Sequence, residues 1–312
     1  LTFEEINQHE FMELFGTNTI SQIAEIMGVN PRTVDRWKAK ILARGEVMMG
    51  ERGGAIAFPE NVGPEYNKAI NIQSDRIMLL GDAEIPDHDV DCFEAAIAIA
   101  KKFGIKDLIL TGDLIALDSF SKWMRAQVYQ LAFREELDPM IITIKVFLQT
   151  FDRIKYISGN HERRLNHAVD GHINIGDFLT NIPGLEFSEY AYCNLKSGDQ
   201  DWLVCHQKNF SVVPLSVPSK IAEVRQKNVW CAHNHRLAKG KDKSGRFHVV
   251  EGGHCRSVNH TAYKMLQVTT HPEWNAGFGM IIDGYPHLVD KESLDFWLSI
   301  DLPSNGKSKK KK

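Results

Sequence analysis

At 312 residues, with 43% hydrophobic and 25% charged side chains, the chain has an ordinary globular composition and room for one large domain plus a small one. A formal net charge of −3 excludes a global electrostatic pull toward nucleic acid, and the longest apolar runs fall far short of a membrane span. No signal peptide is expected, and five cysteines (Cys92, Cys193, Cys205, Cys231, Cys255) without a CxxC pair predict free thiols in a reducing compartment.

Residues 1–58 read as a separate module. Thr19 is placed to cap a helix over Ile20 to Met27, with Gly28 in the left-handed position that stops it. Asn30-Pro31 then opens a second helix. Ile20, Ile23, Ala24, Val29, Val34, Trp37 and Ile41 fall at spacings that let the two helices share a small core. The stretch TISQIAEIMGVNPRTVDRWKAKIL resembles the helix-turn-helix of DNA-binding modules, and EVMMGERGGAIAF after it resembles a two-stranded wing. That likeness implies that Arg32, Thr33, Arg36 and Lys40 of the second helix meet DNA. Six basic residues against nine acidic ones through Glu60 leave docking on a protein partner as the alternative.

Residues 59–74, with two prolines and a glycine, read as a linker. From Arg76 strand-like runs alternate with helices: IMLL, a helix over Val90–Phe103, LILT, then a helical region from Ser119 to about Thr150 that Pro139 is expected to break. After KYIS the pattern turns strand-rich, with WLVC, VWCA, FHVVEG, KMLQVTT and FGMIID. The domain is expected over 75–302, and the Lys-rich end, 303–312, as a disordered tail.

Five segments carry the chemistry: GDAEIPDHD (81–89), DLILTGD (107–113), YISGNHE (156–162), WLVCHQ (202–207) and VWCAHNHR (229–236). Each sets a metal-binding side chain just after an apolar run. Strands that end in polar tips aim them into a shared crevice in an α/β protein. Asp, Asn and His together suit two hard or borderline divalent ions. Singly, each residue has an ordinary reading as a helix cap, a turn or a hydrogen-bonded core histidine. Five motifs in order are not explained that way.

In that order the motifs resemble the calcineurin-like metallophosphoesterase superfamily, with its D-x-H, G-D, G-N-H-[DE], H and G-H-x-H pattern, and come closest to its phage and bacterial forms. The likeness spans residues 76–283. It implies an α/β fold: a mixed-sheet α/β/β/α sandwich, here preceded by the small winged helix-turn-helix domain. It implies two divalent ions, Mn²⁺ favoured, with Mg²⁺, Fe²⁺, Ni²⁺ or Zn²⁺ as alternatives. Asp113 would bridge them. Asp82, Glu84 and His235 would complete one site, and Asn160, His206 and His233 the other. His161 would donate a proton to the leaving group or hold the phosphate, acting with Asp113 in catalysis. Glu84 departs from the family, which has His there. Oxygen ligation favours Mn²⁺ or Mg²⁺ over Zn²⁺, but the change also fits a weakened first site or an altered activity, with His88 as a substitute ligand.

Arg164 and His254 are further candidates for substrate contact, as are Arg163 and Arg256. Trp123 and Trp274 are candidates for base stacking against a buried-core alternative. The expected function is a dinuclear phosphodiesterase or nuclease acting on nucleic acid, DNA favoured, in the cytoplasm of a bacterial or phage-infected cell, with no membrane partner. The alternatives are a phosphomonoesterase and a DNA-binding regulator whose phosphoesterase domain has lost turnover. The sequence leaves oligomeric state open.

Overall fold

A computed structural model describes residues 6–43, 66, 68–121, 131–260 and 274–300. The chain divides into two compact units, 1–65 and 66–312. No helix among the described residues is long and apolar enough to cross a membrane.

In the first unit, α1 (Gln8–Glu13) and a 3-10 turn precede α2 (Ile20–Ile26) and α3 (Pro31–Ala43). The N–H of Gln22 donates to Thr19 Oγ1 at 3.4 Å, while the N–H of Thr19 donates to Gln22 Oε1 at 2.8 Å. This reciprocal box satisfies two backbone donors at the start of α2. The N–H of Arg32 donates to Asn30 Oδ1 at 2.9 Å, so Pro31 takes the first helical position, where no N–H is needed. Phe11, Ile23, Ala24, Val34, Trp37 and Ile41 form the core of this unit. The wing segment and the basic residues Arg44 and Arg52 lie outside the described residues.

The second unit contains β1 (Asn71–Gln73), β2 (Arg76–Leu80), α4 (Val90–Phe103), β3 (Asp107–Leu110), α5 (Phe133–Phe147), β4 (Arg153–Ile157), α6 (Glu162–Ala168), β5 (Leu185–Ser188), β6 (Tyr192–Ser197) and β7 (Gln200–His206). It continues with α7 (Ser216–Arg225), β8 (Asn228–Ala232), β9 (Leu237–Lys241), β10 (His248–Gly252), β11 (Phe278–Ile282), β12 (Tyr285–Val289) and α8 (Leu294–Ser299). Two six-stranded sheets run β1-β6-β7-β8-β10-β9 and β12-β11-β2-β3-β4-β5. Both are mixed: β2, β3, β4 and β5 are parallel, as are β7, β8 and β10, while β11, β12 and β9 pair antiparallel.

Alternation along the strands builds the layers. Met78, Leu80, Leu108, Leu110, Ile154 and Tyr156 pack with Phe93, Ala96 and Ile99 of α4 and with Leu137, Met140 and Ile144 of α5. Their neighbours Ile77, Leu79, Ile109, Ile157 and Ile281 instead meet Leu195, Trp202, Val204, Trp230 and Val250 of the other sheet. On that sheet's outer face Cys205, Val229, Cys231 and Val249 pack with Ala222 of α7. The result is the expected helix–sheet–sheet–helix sandwich.

Three expectations give way. Pro139 sits inside α5 without breaking it. The burial of Leu137, Met140, Ile144 and Phe147 carries the helix past one missing N–H. Asn71–Gln73, in the stretch read as linker, is an edge strand paired in parallel with β6. The cysteines are not all free: Cys92 and Cys255 form a disulfide, because α4 and the segment after β10 meet with Cα atoms 5.7 Å apart. Cys193, Cys205 and Cys231 are buried thiols. KMLQVTT, Trp123 and the Lys-rich tail lie outside the described residues.

Trp230 is 1% exposed between the two sheets. Trp230→Ala is expected to lower unfolding free energy by about 3–5 kcal/mol, read from urea denaturation midpoints.

Candidate metal centre

The polar tips sit where the sandwich's parallel strands end. Asp82 and Glu84 follow β2, Asp113 follows β3, Asn160 and His161 follow β4, His206 ends β7, and His233 and His235 follow β8. Five of these have left-handed backbone: Asp82 (φ 49°), Glu84 (48°), Asp113 (51°), His233 (91°) and His235 (56°). That conformation is unusual for residues with a Cβ, and clusters of it mark functional turns. It turns each side chain sharply away from its strand into the common crevice.

The loops are locked to one another. The N–H of Asp82 donates to Gly112 O at 3.0 Å, that of Glu84 to Asp113 O at 2.9 Å, and that of His233 to Asp82 Oδ2 at 2.9 Å. Glu162 ties the second and third motifs together. Its Oε2 accepts from the N–H of Asp113 (2.9 Å) and Gly159 (2.7 Å). Its Oε1 accepts from the N–H of Leu114 (2.9 Å) and the hydroxyl of Tyr156 (2.6 Å). The sequence signal for it is the last letter of G-N-H-E, to which no role was assigned. Burial, then the nearby Asp113 charge, pushes the Glu162 carboxyl up; the Tyr156 hydroxyl, His206 and the N–H of Asp113 oppose that shift. Gly159 is required by contact: a Cβ there would lie 2.2 Å from Asp113 Oδ1.

Asp113, His206 and His233 form the candidate metal cluster among the described residues, their ligand atoms all within 4.8 Å of one another. His206 Nδ1 lies 3.0 Å from the carbonyl of Thr111, which accepts its proton. Nε2 is thereby turned toward Asp113 Oδ2 (3.3 Å) and Asn160 Oδ1 (2.9 Å). A backbone carbonyl holding the far nitrogen is the usual support of a ligating histidine. Burial, then the charge of His206, lowers the pKa of His233 and keeps its imidazole neutral, the ligating form.

Beside this trio, His235 Nε2 is 3.5 Å from Asp82 Oδ1 and 3.3 Å from Glu84 Oε1. Asp82 Oδ1 is buried without a hydrogen-bond partner, as are His235 Nδ1 and His161 Nδ1. A carboxylate oxygen orphaned beside further carboxylates and imidazoles is the kind of donor set a divalent cation requires. The other oxygen of Glu84 takes a hydrogen bond from Arg256 Nη1. Burial raises the carboxyl of Glu84, but His161, Arg256 and His235 outweigh it and hold it well below the usual range; Asp113 is lowered likewise, by His161 and His206 against burial.

The remaining candidates divide. Arg164 joins the centre through His161, its Nη2 lying 2.8 Å from His161 Nε2 while Nη1 bonds Asp118 and Ala116 O. His254 is fully buried behind His235, with ring centroids 5.3 Å apart, and accepts the N–H of Arg256 at Nδ1, so it supports the centre from behind. Trp274 packs edge-on against His235 at 4.2 Å and is neither deep core nor an open platform. Arg163 turns away to Glu189 O. His88 stacks on Phe93 and bonds Pro86 O, so it stands in for no ligand. In the first unit, Arg32, Arg36 and Lys40 are exposed on α3, whereas Thr33 is partly buried and bonds back to Asn30 O.

The sequence matches no protein-family profile and no curated protein. Similar solved structures include the E. coli phosphoesterase Yfce, at 10% identity and TM-score 0.40, covering 69% of this chain and 92% of that one. A hypothetical protein from Pyrococcus horikoshii is similar at 11% identity and TM-score 0.43, covering 71% and 91%. Vps29 from Entamoeba histolytica, solved in complex with zinc, is similar at 11% identity and TM-score 0.36, covering 69% and 98%.

Two outcomes follow from this geometry. Gly159→Ala should weaken Mn²⁺ binding at least about tenfold by calorimetry, since Asp113 must move. Burial lowers the pKa of His206 and His235, but Asp113 lifts His206 to about 10, and Asp82 and Glu84 lift His235 to about 9. Both folded values exceed the unfolded one of about 6.5, so the stabilisation is complete below that pH and disappears as pH rises through 9 to 10. The melting temperature of chelator-treated protein should therefore fall across that window. Mn²⁺, which displaces these protons, should bind more tightly over the same range.

Proposed function

We propose that the chain is a divalent-metal-dependent phosphoesterase of the calcineurin-like superfamily that hydrolyses phosphodiester bonds of nucleic acid, with DNA favoured. The observation that carries this reading is the convergence of Asp82, Asp113, Asn160, His206, His233 and His235 from five separate strand ends, with a carboxylate oxygen of Asp82 buried among them without a hydrogen-bond partner. The mixed oxygen and nitrogen donors suit a borderline divalent ion, and Mn²⁺ is the ion used to test the site. Asp113, between the two halves, would be the residue shared if two ions bind.

Bound there, divalent cations supply Lewis-acid polarisation of a phosphoryl oxygen and acidify water to a nucleophile at neutral pH. Asp113 holds its loop against His161, whose N–H donates to Asp113 Oδ1 at 2.8 Å. Arg164 donates to His161 Nε2, so the free proton position of the ring is Nδ1. Nδ1 has no hydrogen-bond partner, so it is the atom from which His161 would protonate a leaving oxygen. Asn160 is exposed beside it, at the open edge of the centre, where a substrate would enter.

The exposed basic side chains of α3 (Arg32, Arg36 and Lys40) would bring the first unit to nucleic-acid phosphates, which supports a polymeric diester over a free phosphomonoester. One observation favours a non-catalytic regulator instead, namely the bond between Glu84 and Arg256. Hydrolysis of a bis-aryl phosphate with Mn²⁺ separates the two readings, and its absence would end the enzymatic one.

His161→Ala should lower turnover of that ester by about 10²–10⁴-fold with metal content unchanged. His206→Ala and Asp113→Asn should abolish turnover with the circular-dichroism spectrum retained. Deleting residues 1–58 should spare the small ester and impair hydrolysis of DNA. Equal DNA hydrolysis without them would remove the targeting role, and preference for monoesters across a substrate panel would replace the diester assignment.

A further inference from the structure

Glu84 stands where the related motif has histidine, and the structure gives its carboxylate a partner 172 residues away. Arg256 donates through Nη1 to Glu84 Oε2 and through Nη2 to Asp87 Oδ2 at 2.9 Å. Arg256 is 5% exposed and Glu84 2%. A guanidinium shared between two carboxylates is a strong, directional arrangement that resists rearrangement.

The backbone fixes the pair as well. The N–H of Cys255 donates to Gly81 O at 3.2 Å, that of Asp89 to Cys255 O at 2.7 Å, and that of Ser257 to Asp87 O at 2.7 Å. The Cys92–Cys255 disulfide adds a covalent tie one residue from Arg256. The segment bearing Arg256 is therefore laced along the whole loop that carries Asp82, Glu84 and Asp87.

Charge balance gives this pair its meaning. Asp82, Glu84 and Asp113 are each at most 2% exposed and face the same histidines. Buried carboxylates demand compensating positive charge. Arg256 pairs with Glu84 and with the partly solvated Asp87, which leaves Asp82 and Asp113 as the buried carboxylates of the crevice open to a cation. Resting on the phosphoesterase reading, we propose that Arg256 is a built-in cation taking the place of one protein–metal bond. The centre then binds a single ion tightly through Asp113, Asn160, His206 and His233, and a second only weakly beside Asp82 and His235. Arg256 is a positioning residue, acting through Glu84.

Calorimetric titration of the chelator-stripped full chain with MnCl₂ tests this. Wild type is expected to take one tight ion and a second bound at least about tenfold more weakly. Arg256→Met, which releases Glu84, should tighten the second ion by about tenfold or more, and Arg256→Lys, which keeps the charge, should leave the wild-type pattern. If Arg256→Met does not fold, Glu84→His combined with Arg256→Met removes both buried charges and should bind two ions with similar affinity. Two ions of equal affinity in wild type, or a second ion unaffected by either variant, overturns the proposal. Such a result alongside ester hydrolysis leaves the phosphoesterase reading standing. One tight ion without any hydrolysis sinks that reading and leaves the assignment of Arg256 intact.

Discussion

Burial of like charge is the constraint around which the second unit is organised. Asp82, Glu84 and Asp113 sit within one crevice, almost wholly removed from water. Carboxylates in that setting either take up protons or acquire cations and donors. Here Glu84 and Asp113 are held ionised by what surrounds them: Arg256, His161, His206 and His235. The loops bend, and glycines let them approach one another, so that those partners arrive together. Gly112 and Gly159 touch backbone to backbone, since a Cβ on the first would lie 2.8 Å from the Cα of the second.

The fold's part is to make such convergence repeatable. Parallel strands of one sheet deliver Asp82, Asp113 and Asn160, and parallel strands of the facing sheet deliver His206 and His233. Two apolar sheet faces, with Trp202 and Trp230 between them, set the spacing of those ends. Support around the crevice is layered: Thr111 orients His206, Arg164 orients His161, Glu251 bonds Asn234 between the two histidines of the last motif, and Glu162 clamps two loops at once.

Much of this was legible in the sequence because it is local. The capping box at Thr19, the Asn30-Pro31 helix start, the bounds of α4 and the strand-to-tip transitions each depend on residues a few positions apart. What escaped is non-local. Nothing near Glu84 announces Arg256, nothing near Cys92 announces Cys255, and Asn71–Gln73 becomes a strand only because β6 offers an edge. His88 fits a ligand's place by sequence alone, but Phe93 holds its ring by stacking. Pro139 looked like a break because local rules see the missing N–H and not the apolar face that keeps the helix seated.

The left-handed residues of the centre carry a further implication. Each non-glycine residue held in that region costs about 1–3 kcal/mol, and glycine or asparagine in its place would relax the turn. The positions at Asp82, Glu84, Asp113, His233 and His235 are therefore places where substitution by glycine or asparagine would relieve strain at the cost of the side chains that converge on the crevice. Selection for thermal endurance alone would be expected to erode the crevice while leaving the sandwich standing.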